Sequence, residues 1–314
     1  MKLVFAGTPA VAVPSLDALE QAGHEIAAVL TRPDAPLGRR KVLTPSPVAQ
    51  RAEALHIPLI KADRVDASVT GQLADCAPDL AVVVAYGALV PPAALDVPRY
   101  GWLNLHFSLL PSWRGAAPVQ HAVIHGDDVT GASTFKLEAG MDTGPVYGQL
   151  TEQIHPTDTS GVLLERLADS GAVLLQRTVD GLEAGSVSAS TQSGQVSMAP
   201  KLTVEDGRID WTHPAVAIDR RIRGVTPEPG AWTTLDNERF KLGPVTVENS
   251  GLALDPGQVV ACDGGKAAIA GTGSGNIRLH RVQPAGRKFM DAADWLRGAG
   301  GGAGNGAGES VVFQ

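Results

Sequence analysis

The chain opens with a short apolar run, "KLVFAG" (Lys2–Gly7), with no polar alternation and a glycine at its end. Such a run predicts a strand buried on both faces, as in a parallel sheet. "TPAVAVPSLDALEQAG" follows, with Val11, Leu16, Leu19 and Ala22 at helical spacing and Gly23 as a stop. "HEIAAVLT", "HIPLIKA", "DLAVVVAYG" and "GWLNLHF" repeat the strand pattern, and "DASVTGQLADCA" repeats the helical one. Strands alternating with helices predict an α/β fold: a Rossmann-like parallel sheet with right-handed crossovers. "TGASTFKLEAGMDTGPVYGQL" predicts two strand-like arms around a Gly-rich loop, Glu138–Gly144. Ser160–Gly185 carries Leu163, Leu164, Leu167, Val173, Leu174 and Leu182 on one helical face and closes a first domain at residues 1–185.

Periodicity then disappears. Residues 186–206, rich in Ser, Gln and Gly, read as a linker. "PAVAIDRRIRGV" predicts a short helix. From Gly230 the pattern is of short strands: "AWTTL", "RFKLGPVTV", "GQVVAC", "KAAIAG" and "NIRLHRVQ". Five strands with Gly or Asp turns predict a small OB-like β-barrel over residues 207–298. The Gly-rich end, residues 299–314, reads as a flexible tail.

Length supports this division, since 314 residues suit two domains. Composition is that of a globular protein, with 44% hydrophobic and 19% charged residues. Cys76 and Cys262 stand far apart and form no C-x-x-C pair, so neither a disulfide framework nor a metal site is expected. Gly7, Pro9 and Pro14 interrupt the apolar start, so no signal peptide is read there. The apolar stretch Leu80–Leu95 contains two prolines and a glycine and is too short to span a bilayer. The expectation is a cytoplasmic monomer with no membrane contact.

Net charge is −7, which by itself disfavours nucleic acid. The segment from Arg32 to Arg64 reverses the sign locally: Arg32, Arg39, Arg40, Lys41, Arg51, Lys61 and Arg64 face three acids. Within it, "LGRRKVLTPSP" is longer than an ordinary α/β connection. Its Arg39, Arg40 and Lys41 are candidates for phosphate or base contacts. "FAGTP" at Phe5–Pro9 is neither a dinucleotide fingerprint nor a Walker motif.

The candidate chemistry lies in "NLHFSLLPSWRG". Residues i and i+2 of a strand face the same side, so Asn104 and His106 project together. The carboxyl edge of such a sheet is where ligands bind. An amide donor beside an imidazole suits a developing oxyanion. Asp142, between Gly140 and Gly144 and 38 positions beyond Asn104, is the carboxylate expected to orient His106 and raise its pKa. With no Ser or Cys nucleophile nearby, the trio suits direct acyl transfer to an amine. Singly, each element is as readily a core pair or a turn; the ordered combination is what is specific.

That combination, N-L-H-x-S-L-L-P-x-x-R-G followed by D-T-G, closely resembles the folate-dependent formyltransferase family. "TRPDAPLGRRKVLTPSPV" (Thr31–Val48), "APKLTVEDGRIDW" (Ala199–Trp211) and "PGAW" (Pro229–Trp232) extend the resemblance over roughly residues 1–298, and the tail from Ala299 departs from it. What the resemblance implies is 10-formyltetrahydrofolate as co-substrate, with Asn104, His106 and Asp142 as the transfer trio. It also implies folate contacts from Ser108, Leu109, Leu110 and Pro111, and a pterin wall from Tyr86, Gly87, Leu89 and Val90. The acceptor it implies is the α-amino group of methionyl-initiator tRNA, for translation initiation, gripped by the Arg39–Lys41 loop. OB-type folds often bind nucleic acid, so Arg220, Arg221, Arg223, Arg278, Arg281, Arg287 and Lys288 are further candidates, although each alone is more readily a solvated charge. The alternatives are transfer to glycinamide ribonucleotide or an amino-sugar nucleotide, and hydrolysis of the formyl-folate.

Overall fold

A computed structural model describes residues 1–38, 40–249, 251–299 and 311–314. These divide into two compact units. The first comprises Met1–Pro118, Val129–Gln153 and Leu164–Pro200; the second comprises Val119–Asp128, Ile154–Leu163 and Lys201–Gln314. Residues 119–128 and 154–163, which the linear pattern placed in the first domain, belong to the second unit. Ile124 packs on that unit's core, and Gly161 donates its N–H to Thr226.

The first unit contains strands β1 (Lys2–Gly7), β2 (Glu25–Thr31), β3 (Ala35–Leu37), β4 (Val42–Thr44), β5 (Leu59–Lys61), β6 (Leu80–Val84), β7 (Trp102–His106), β8 (Val129–Lys136) and β9 (Val146–Gln153). Seven of them form one sheet in the order β5-β2-β1-β6-β7-β8-β9. The expected parallel sheet is present from β5 to β7, while β8 and β9 add an antiparallel edge. The continuous apolar runs account for the parallel part: Leu3–Ala6 and Leu80–Val84 are buried on both faces. Helices α1 (Val13–Gln21), α2 (Pro47–Ala54), α3 (Ala67–Asp75) and α4 (Pro92–Leu95) connect these strands. Helix α2, not visible in the periodicity, starts at Ser46, whose hydroxyl accepts from the Ala49 N–H.

The long basic connection is itself a hairpin, β3 paired with β4, closed by a hydrogen bond from the Lys41 N–H to the Gly38 carbonyl at 3.1 Å. Leu37, Val42 and Leu43 on its arms are exposed. Helices α5 (Pro118–His125) and α6 (Ser160–Glu183) follow in the chain. Among the described residues no helix is long and apolar enough to cross a membrane.

The second unit adds α7 (Ala215–Gly224) and strands β10 (Ala231–Leu235), β11 (Glu238–Leu242), β12 (Val245–Glu248), β13 (Gln258–Cys262), β14 (Ala267–Gly271), β15 (Asn276–Leu279), β16 (Arg281–Gln283), β17 (Met290–Asp291) and β18 (Val311–Val312), with α8 (Ala292–Ala299) before the last. Two runs read as single strands each split in two. "RFKLGPVTV" breaks at Gly243–Pro244, and "NIRLHRVQ" breaks at His280. Each half joins a different sheet, β10-β11-β16-β17 or β12-β15-β14-β13-β18. Paired strands that change sheet together make the corners of a barrel.

The end of the chain corrects the flexible-tail expectation. Residues 300–310 lie outside the described residues, but β18 pairs with β13, and Gln314 exchanges backbone hydrogen bonds with Thr234 of β10 at 2.9 and 3.2 Å. The terminus thus bridges the two sheets. Phe313 is 3% exposed and packs on Trp211 at 5.2 Å, Phe240 at 5.1 Å and Trp295 at 5.8 Å between ring centroids. Three apolar residues, Val311–Phe313, after a Gly-rich stretch are too few to show a period, so the burial of Phe313 was not predictable locally.

Candidate active site

Strand β7 lies between β6 and β8, so the sheet holds it on both edges. Its alternation is the expected one: Leu103 and Leu105 are buried on one face, and Asn104 and His106 share the other. Both polar residues line a cavity of about 450 Å³ with Asp142, which the β8–β9 loop brings to the same place. Asp142 has a left-handed backbone (φ 50°), a conformation for which Asp is tolerated better than most residues.

His106 is held by one hydrogen bond and stands near a carboxylate. Its Nε2 lies 2.9 Å from the Trp113 carbonyl, and its Nδ1 lies 3.8 Å from Asp142 Oδ2. A carbonyl only accepts, so Nε2 carries the proton and Nδ1 presents its lone pair in the neutral ring. Burial pushes the His106 pKa below its ordinary value, and this outweighs the opposing pull of the Asp142 charge and the Trp113 carbonyl. The expectation that Asp142 raises the pKa holds for the carboxylate's own contribution and fails for the sum, because the imidazole is 7% exposed. Asp142 Oδ2 also accepts the Gly115 N–H at 2.7 Å, which ties the two site loops together.

The other expected site residues separate into two groups. Tyr86, Gly87 and Leu89 line the cavity. Tyr86 is anchored by its hydroxyl to the Ala62 carbonyl at 2.8 Å. Val90 packs instead on the core beside β6. Ser108, Leu109, Leu110 and Pro111 do not line the cavity. Ser108 is fully buried and donates to the Ser112 carbonyl at 2.6 Å, and its own carbonyl accepts from Ser133 Oγ. Leu110 donates its N–H to Ser133 Oγ. The "SLLP" segment is therefore a largely buried, cross-bonded turn, since Ser133 Oγ and the Gln149 amide satisfy its backbone groups. Among the described residues no cluster of three His, Cys, Asp or Glu side chains could hold a metal.

The supposed linker contributes what the sequence reading missed. Trp113 donates its N–H to Ser197 Oγ at 2.8 Å, and Arg114 exchanges backbone bonds with Ser197 and Ala199 at 2.9 and 2.7 Å. Ser190 and Val146 exchange a pair at 2.8 Å. Gly115 (φ +125°) must be glycine here, because a Cβ would stand 2.6 Å from the Ala199 carbonyl oxygen. Nothing in a Ser/Gln/Gly-rich stretch signals this; the R-G pair at Arg114–Gly115 is the one local hint.

Residues 1–179 match the Formyl transferase family, and residues 201–300 match the Formyl transferase C-terminal domain. This chain belongs to the formyl transferase family. It is 63% identical over 314 residues to the methionyl-tRNA formyltransferase of Arthrobacter sp. (strain FB24) and 61% identical over 314 residues to that of Paenarthrobacter aurescens (strain TC1), covering 100% of both chains in each case. Among solved structures it is similar to the N-formyltransferase from Helicobacter canadensis in complex with folinic acid and dTDP-3-aminofucose, with TM-score 0.67, 17% identity, and coverage of 89% of this chain and 98% of that one. That likeness concerns the fold, an α/β unit followed by a unit of strands, as the hydrophobic pattern predicted.

In this formyl transferase the expected nucleic-acid contacts are placed unevenly. Arg40 and Lys41 are exposed at the hairpin turn, and Arg39 lies outside the described residues. Two of the barrel cations have internal roles. Arg223 is buried and bonded to Asp219 at 2.9 Å and to the Asp158 carbonyl at 3.0 Å, while Arg278 pairs with Glu248 at 2.8 Å and Asp263 at 3.1 Å.

Proposed function

We propose that this chain transfers the formyl group of 10-formyltetrahydrofolate to the α-amino group of methionyl-initiator tRNA. The observation that carries the reading is the 63% identity, without uncovered residues, to a protein of that named activity. The site's geometry supports the chemistry. A cavity of about 450 Å³ has the size of a small-ligand site. Tyr86, Leu89, Phe107 and Met141 offer it apolar walls that fit a flat heteroaromatic ring. Asn104, His106 and Asp142 offer polar groups for the formyl end.

The co-substrate supplies an activated one-carbon unit; the rest is done by side chains. Asn104 donates to the formyl oxygen as negative charge develops there during attack by the neutral amine. His106, neutral at rest, accepts the proton that the amine loses, at Nδ1, because Nε2 is engaged with Trp113. Asp142 stabilises the resulting imidazolium from 3.8 Å. The proton then passes to the folate nitrogen as its bond to the formyl carbon breaks, giving formyl-aminoacyl-tRNA and tetrahydrofolate. Arg40 and Lys41, on a hairpin with exposed apolar arms, are suited to phosphate and base contacts.

The test is one assay with purified protein and 10-formyltetrahydrofolate. The acceptors are methionyl-initiator tRNA, glycinamide ribonucleotide, an amino-sugar nucleotide, or water alone. Formylation of the tRNA is expected. Transfer only to a small amine would overturn the acceptor, and folate deformylation without an acceptor would point to hydrolysis.

A further inference from the structure

Gln192 lies in the segment between α6 and α7, where neither hydrophobic periodicity nor any motif marks it. Its side-chain amide is nevertheless fully engaged. Nε2 donates to the carbonyl of Asp142 at 2.8 Å and to the carbonyl of Gly144 at 2.7 Å. Oε1 accepts from Arg114 twice, at 2.6 Å from Nη2 and 3.2 Å from Nε. The orientation of the amide follows from its partners: a guanidinium only donates and a peptide carbonyl only accepts. Both amide hydrogens and both oxygen lone pairs are used.

The four bonds join the two loops that hold His106. Arg114 follows Trp113, whose carbonyl fixes Nε2, and precedes Gly115, whose N–H binds the Asp142 carboxylate. Asp142 and Gly144 belong to the β8–β9 loop, where Asp142 has a left-handed backbone. The Asp142 carboxylate is therefore located by one N–H on one loop, and its backbone is located relative to that loop by Gln192. A carboxylate 3.8 Å from Nδ1 is useful only while that spacing persists, and a shift of about 1 Å in such a group costs on the order of 10²-fold in rate.

We propose that Gln192 is a positioning residue for formyl transfer, acting through Asp142. This rests on the reading of Asn104, His106 and Asp142 as the transfer site. Glutamine is specifically suited to the position. A glutamate keeps the Arg114 pair but sets an oxygen against two carbonyl oxygens, and a methionine of similar length makes none of the four bonds.

The experiment compares wild type, Gln192→Met, Gln192→Glu, Asp142→Ala and Asp142→Ala/Gln192→Met. Steady-state kinetics use 10-formyltetrahydrofolate and methionyl-initiator tRNA, and circular dichroism verifies folding at the assay temperature. Gln192→Met should lower kcat by about 10- to 100-fold, with each KM within about threefold. Gln192→Glu should be at least as impaired. In the Asp142→Ala background the further loss from Gln192→Met should fall below about twofold, since the group being positioned is gone. A folded Gln192→Met protein with wild-type kcat overturns the proposal, as does full multiplication of the two losses. Loss of kcat through unfolding is separated by the circular dichroism, and folded Gln192→Glu then decides the matter. Wild-type kcat in Asp142→Ala would instead overturn the underlying site reading.

Discussion

Residues 190–199 hold the candidate-site loops through hydrogen bonds, whereas residues 311–314 hold the barrel chiefly through the buried ring of Phe313. Ser197 and Ala199 meet the backbone of Trp113 and Arg114, and Ser190 meets Val146. Their contribution lies in where donors and acceptors stand. A net hydrogen bond adds only about 0.5–1.5 kcal/mol to stability, but fixes direction closely. Phe313 works differently. Dispersion and hydrophobic burial against Trp211, Phe240 and Trp295 tolerate small displacements and are worth several times more. Damage to the first segment should therefore appear in rate, and damage to the second in stability.

The largest effect that sharpens this contrast is Phe313→Ala, expected to destabilise the protein by about 3–5 kcal/mol in urea or thermal unfolding. The molecules still folded should retain near-normal kcat at low temperature. Equal loss of kcat and stability would erase the distinction. Asn104→Ala should behave in the opposite way. Removing one donor to the developing oxyanion should lower kcat about 10²–10³-fold, with an unfolding midpoint close to that of wild type. Wild-type turnover in Asn104→Ala would remove that residue from the chemistry.

A smaller effect is expected from pH. The folded pKa of His106 lies below its unfolded value because burial penalises the charged ring. Between those two values the unfolded chain binds more protons, so stability falls as pH drops below about 6.5 toward the folded pKa, and this contribution is complete above that window. His106→Asn should therefore lose less Tm than wild type between about pH 7.5 and about pH 5.5. A larger loss in the variant would mean that the ring is charged in the folded state. The same neutral ring predicts an acid limb in kcat lying below the ordinary histidine value.

The mildest effect concerns the hairpin, where side chains are exposed and no burial amplifies them. Replacing Arg40 and Lys41 by Ala should raise KM for the tRNA several-fold and flatten its dependence on salt, with kcat for bound substrate little changed. An unaltered salt slope would assign the phosphate contacts elsewhere.

Much of the fold was legible because its signals are local. The runs at Lys2–Gly7 and Leu80–Val84 had to be covered on both faces, and Gly23, with φ +84°, ends the first helical segment as expected. The barrel was legible as an OB-like set of strands, but its corners were not. The breaks at Gly243 and His280 change the direction of strands without changing their composition. The "SLLP" segment carried a motif but no sign of its internal bonding: Ser108 donates to the Ser112 carbonyl and the Leu110 N–H to Ser133 Oγ, partners that local pattern does not name.

By itself, the sequence determined that Asn104 and His106 share one face of a buried strand, since a period of two is a property of the extended backbone. It also determined that Asp142 stands in a loop between glycines that permit unusual turns. Tertiary structure alone decided the resting charge of His106, because desolvation depends on everything packed around the ring. It alone brought Ser197 to the loop after β7 and Phe313 into the barrel, over separations of 84 residues to Trp113 and about 100 to Trp211. Local pattern records what a segment prefers to be, whereas the partner that covers it is chosen by the whole chain.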